Sequence, residues 1–141
     1  MSASVQRPYV SFYPPFHAVL LGGATALFLG ALVSDIAYAR TYEIQWNNFA
    51  SWLIAGGLVV AGAALVCAVL GLLPSRRSRQ SVLHVVVLAA TWILGFLDAL
   101  WHARDAWASM PGGLVLSVIV VLLACAATWL GCWTTRFGGT P

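Results

Sequence analysis

Apolar residues run in four long stretches, about Phe16–Tyr38, Phe49–Leu73, Val82–Ala103 and Gly112–Trp133, and the polar residues collect between them. Each run is about 22 to 25 residues, or roughly 33 to 37 Å of helix, enough to cross a bilayer core with some tilt. Pro74 ends the second run and Met110-Pro111-Gly112-Gly113 opens the fourth as a turn. The outer connection Arg40–Asn48 reads as about nine residues, and the inner one is shorter. Short connections make successive helices antiparallel neighbours. The pattern therefore predicts an all-α, four-helix transmembrane bundle of up-down topology. Residues 1–15 form a cytoplasmic N-terminal segment, 16–133 the membrane domain and 134–141 a cytoplasmic tail.

Composition sharpens that reading. The chain is 61% hydrophobic and 8% charged over 141 residues, about a third of the charge of an ordinary soluble domain. No stretch outside the spans is long enough to fold alone, so no soluble catalytic domain is expected. The start of the chain lacks a short apolar core and a small-residue cleavage site, so it is expected to stay uncleaved. Cys67, Cys125 and Cys132 all fall inside spans and read as small apolar residues rather than as disulfide partners.

Charge placement sets orientation. Every basic residue is Arg, and the seven sit beside the spans. Arg7, Arg76, Arg77, Arg79 and Arg136 flank one side, against Arg40 and Arg104 on the other. Asp35, Glu43, Asp98 and Asp105 all fall on the side with two arginines. By the positive-inside rule both termini are expected on the cytoplasmic side, N-in and C-in. Trp46, Trp52, Trp101 and Trp107 mark the outer boundary, Trp129 and Trp133 the inner one. This is a topology signal and not a nucleic-acid footprint, despite a pI near 9.1.

Lipid gives no hydrophobic drive between helices, so small residues and polar groups must hold them together. The first span carries Gly22, Ala26, Gly30 and Ser34 at every fourth position. The second carries Gly57, Ala61, Ala64, Ala68 and Gly71, and the fourth Ser117, Ala124, Thr128 and Gly131. All three series predict contact faces.

The candidate chemistry lies in the intramembrane ionisable residues. His17 and Asp35 are 18 apart on the first span, and His84 and His102 are 18 apart on the third. Eighteen residues make five turns, so each pair shares a face about 27 Å from end to end. Asp98, Thr91 and Gly95 fall on the His102 face. Two layers result: His17 and His84 near the inner boundary, and Asp35, Asp98 and His102 near the outer one. Three readings stand open. In the first, the polar groups are structural, Asp35 pairing with Arg104 or Asp98 with Arg40 while the histidines snorkel to headgroups or cap neighbours. In the second, His17 and His84 ligate a haem b between two helices, as an electron carrier or anchor of a redox system. In the third, Asp35, Asp98 and His102 hold a divalent metal or relay protons. No nucleophile elbow surrounds Ser34, Ser51, Ser81 or Ser117, and no phosphate-binding glycine loop is present. An enzyme is not indicated. The partners indicated are the bilayer and other membrane or redox subunits or a second copy of the chain, not nucleic acid.

The stretch Pro15–Leu73 resembles the bacterial predicted membrane protein family labelled domain of unknown function 2231. The resemblance rests on His17 opening the first span, Ser34-Asp35 closing it, Phe49-Ala50-Ser51-Trp52 opening the second, and His84 following an Arg-rich turn. It covers about three-quarters of the chain. It implies a four-helix inner-membrane protein with no established activity. The joining of some members to Rieske or cytochrome domains implies an electron-transfer setting.

Overall fold

The computed structural model describes residues 15–72 and 79–137, with side chains through residue 132. Among the described residues there are five helices and no strand: α1 (Pro15–Thr41), α2 (Ile44–Leu72), α3 (Arg79–His102), α4 (Ala106–Ser109) and α5 (Gly112–Phe137). Four of them, α1, α2, α3 and α5, are long and apolar enough to cross a membrane. Arg7, Pro74, Arg76 and Arg77 lie outside the described residues, as do the side chains of Trp133 and Arg136.

Buried positions recur every three or four residues on each long helix. On α1 the seam runs His17, Leu21, Ala24, Phe28, Ala31, Asp35 and Tyr38. On α3 it runs His84, Leu88, Thr91, Gly95, Asp98 and His102. A repeat alternating four and three keeps one stripe facing the partners along a bundle. The remaining faces expose large apolar side chains such as Val59, Leu122 and Trp129, as helices in lipid do. Each of α1 and α3 packs on both α2 and α5, so α1 and α3 stand diagonally across the bundle.

Small residues set how closely the helices approach. Gly57, Ala61, Ala64 and Ala68 are buried on α2 as the sequence predicts. The ring of Phe28 fills the notch at Gly57, where an added methyl group would stand 2.8 Å from Cε1, and lies less tightly against Gly95, where it would stand 3.3 Å from Cζ. On α1 the expected stripe holds at Gly30, which packs against Leu53, and at the buried Ser34, but not in its first half. Gly22 and Ala26 face outward, and nothing lies within 4 Å of a methyl group placed at Gly22. The seam passes through Leu21, Ala24 and Phe28 there instead, because the same stripe must also bury His17 and Asp35, 18 residues apart.

The connection after α1 is tighter than the expected nine residues. α1 continues to Thr41, and Tyr42 turns the chain with φ 56° while its amide bonds the Tyr38 carbonyl at 2.8 Å. This left-handed residue closes the helix as an αL cap, and α2 starts at Ile44. Between α3 and α5 a single helical turn, α4, tucks inward. Its Ser109 is buried and donates to Asn47 Oδ1 at 3.1 Å, and Trp101 Nε1 donates to the Ser109 carbonyl at 3.1 Å. Tyr42 stacks on Trp107 with ring centroids 5.9 Å apart.

Candidate functional site

Two polar layers occupy opposite ends of the diagonal between α1 and α3. At one end His17 Nε2 lies 3.2 Å from His84 Nε2, the rings meeting edge to face. At the other, His102 Nε2 lies 2.9 Å from Asp35 Oδ1. Both contacts join residues 67 apart in sequence. The shared offset means that α1 and α3 face one another in register over both layers. The 18-residue spacing read on each helix is what brings both layers together at once.

α5 makes room for both histidines of α3. A methyl group at Gly131 would stand 3.0 Å from His84 Cε1, and one at Gly113 would stand 2.9 Å from His102 Cε1. The two glycines are themselves 18 residues apart. Between the layers, Thr25 Oγ1 and Thr128 Oγ1 bond at 2.8 Å and tie α1 to α5. Trp92 Nε1 donates to the Leu58 carbonyl at 3.1 Å and ties α3 to α2.

The Asp35 layer is a closed network. His102 Nδ1 lies 3.0 Å from the Asp98 carbonyl oxygen and 3.1 Å from Asp98 Oδ1. Ser117 Oγ of α5 sits between the two carboxyl groups, 2.5 Å from Asp35 Oδ2 and 3.0 Å from Asp98 Oδ2. All four side chains are 0 to 4% exposed. Three helices thus meet through one imidazole and one hydroxyl. Ser117 stands in the α5 contact series of the sequence, but nothing there marked it as the bridge. A polar residue four places after Gly113, on the buried face, was the available signal.

The arginine partners expected for this layer are not used. Arg40 and Arg104 are exposed, and neither forms an ion pair with Asp35 or Asp98. Arg104 lies over the Trp101 ring at 4.5 Å. A guanidinium at a helix end can stay in water while its stem covers apolar surface, so it has no need to enter the bundle. His102, already inside, takes both carboxyl groups. The histidines of the other layer do not snorkel; they bury against each other.

The fit of bound groups follows from the same distances. Two imidazole nitrogens on opposite sides of one iron stand about 4 Å apart, and a porphyrin plane must pass between the rings. His17 and His84 touch directly at 3.2 Å, so as arranged they do not fit a haem. Among the described residues no group of three or more His, Cys, Asp or Glu is placed to hold a metal ion. His102 turns one nitrogen to each aspartate, whereas a shared metal would need one nitrogen and both carboxylates aimed at a common point.

Four apolar spans crossed by buried polar layers define a small all-helical, multi-span membrane protein. Residues 13–138 match the family described as predicted membrane protein (DUF2231), and the chain belongs to that family. No curated protein and no solved structure matches it.

Proposed function

We propose that the chain is a small membrane subunit or scaffold of the bacterial inner membrane, with its buried polar residues locking four spans into one rigid unit. The observation that carries this reading is the Asp35–His102–Asp98–Ser117 network, which links α1, α3 and α5 with no polar atom turned toward lipid. In this reading the helices run up and down. Contacts in the α1–α2 pair support it: Gly23 lies against Val60 and Gly30 against Leu53, so positions climb one helix as they descend the other. The arginine distribution supports N-in and C-in orientation. The partners of such a unit are the bilayer and neighbouring membrane subunits or further copies of itself.

The test is stability in a membrane mimetic. Asp35→Ala in nanodiscs should lower the unfolding midpoint sharply while membrane insertion persists. An unchanged midpoint would show that the network does not hold the bundle. The haem reading of His17 and His84 requires α1 and α3 to part. A Soret band in the purified wild type, lost in H17A, would establish it in place of the paired arrangement.

A further inference from the structure

The Asp35 layer can be read proton by proton. His102 Nδ1 faces the Asp98 carbonyl oxygen at 3.0 Å, an acceptor with no hydrogen to give, so Nδ1 carries one. Three contacts remain in line: His102 Nε2 to Asp35 Oδ1, Asp35 Oδ2 to Ser117 Oγ, and Ser117 Oγ to Asp98 Oδ2. Each needs one hydrogen. Ser117 has a single hydroxyl hydrogen and can donate to only one carboxyl group; toward the other it accepts, and that carboxyl must itself be protonated. Two further hydrogens are therefore required, on His102 Nε2 and the carboxyl groups.

Charge gives the same number independently. With hydrogen on Nδ1 alone, two carboxylates and a neutral imidazole sum to −2. Two protons bring the centre to zero. Net charge buried in a lipid-embedded bundle is costly, and neither arginine at this end approaches to offset it. The other buried polar side chains at this end are Asn47 of α2, Ser109 of α4, and Ser34 and Tyr38 of α1, and none of them is a carboxylate or a cation.

A third observation places the protons. Asp98 Oδ1 is buried, and the His102 Nδ1 beside it at 3.1 Å is not aligned to hydrogen-bond it, while both Asp35 oxygens are hydrogen-bonded. An unbonded oxygen is tolerated far better on a neutral acid than on a carboxylate. So Asp98 is the protonated acid, donating from Oδ2 to Ser117. Ser117 donates to Asp35, and Asp35 remains the carboxylate, accepting also from a doubly protonated His102.

We propose that Asp35, Asp98, His102 and Ser117 form a proton-binding centre holding two dissociable protons, one on His102 and one on Asp98, with Ser117 as the relay between the carboxyl groups. This goes beyond a scaffold, which needs no labile proton. Loss of either proton leaves a −1 charge in the bundle and breaks one contact of the line. Release is therefore coupled to the entry of water or a cation at this end, where α4 covers the bundle.

Infrared difference spectroscopy of the full chain in nanodiscs at neutral pH tests the assignment. The wild type should show the C=O stretch of a protonated carboxyl, absent in Asp98→Asn and present in Asp105→Asn. No protonated-carboxyl band in the wild type, or a band that survives Asp98→Asn, would overturn the proposal. Should Asp98→Asn fail to insert, Ser117→Ala supplies the second reading. Its band should shift in frequency because Asp98 loses its hydrogen-bond acceptor, and an unmoved band would overturn the proposal equally.

Discussion

His102 reaches Asp35 across the diagonal of the bundle, Nε2 to Oδ1 at 2.9 Å, from a helix that does not flank α1. One side chain thereby braces two helices that the ring of neighbours leaves apart. The contact is wholly buried. Its strength comes from the exclusion of water, and so does the penalty for breaking it.

The two aspartates should respond differently to the same isosteric change. Asp35→Asn removes the anion facing a doubly protonated imidazole and is expected to cost about 3 kcal/mol. Asp98→Asn replaces a neutral acid by a neutral amide that can still donate to Ser117, and should cost about 1 kcal/mol. Asp105→Ala, on the exposed surface, should stay within about 0.5 kcal/mol. Unfolding midpoints in one nanodisc preparation check the order, and equal losses at positions 35 and 98 would contradict it.

The Phe28 notch gives a steric prediction. Gly57→Ala places a methyl group 2.8 Å from the ring and should destabilise the bundle by about 1 to 3 kcal/mol. Pairing it with Phe28→Leu should recover much of the loss. Gly22→Ala meets nothing within 4 Å and should be neutral or slightly stabilising, since alanine is the better helix former. Thermal unfolding of the three variants decides, and a harmful Gly22→Ala would return that residue to a contact face.

The histidine layer should behave as a pair. His17→Ala and His84→Ala should each weaken the bundle, and the double variant should lose less than the sum by about 0.5 to 1.5 kcal/mol, the scale of one hydrogen bond. Strict additivity would show that the rings do not interact.

Orientation is open to a direct reading. A reporter fused at the C-terminus should be active on the cytoplasmic side, as the arginine split requires. Activity confined to the periplasm would reverse the assignment.

Much of this arrangement was legible because lipid permits few solutions. Four apolar runs long enough to span, with almost no charge, leave helices as the only economical fold. The equal 18-residue spacings placed His17, His84, Asp35 and His102 on inward faces before any contact was known. What the sequence could not rank was competition among cations. Arg40, Arg104 and His102 all fall at the same end of the spans as Asp35, and only the bundle shows that the arginines are exposed while His102 is buried. Gly22 and Ala26 misled for a related reason. A small-residue series marks a face that can pack closely, but the cost of leaving His17 and Asp35 in lipid chose a different face. The inward tuck of α4 depends on Ser109 meeting Asn47, a pairing 62 residues apart that no local pattern announces.

Asp35 and His102 join α1 and α3 across the bundle. A double-variant cycle with Asp35→Asn and His102→Gln, read by unfolding free energy in nanodiscs, tests it most directly. A coupling above about 1 kcal/mol is expected for this pair, and additivity within about 0.5 kcal/mol for Asp35→Asn with His84→Gln, which lies in the other layer. Additive losses at positions 35 and 102, or equal coupling in both cycles, would contradict it.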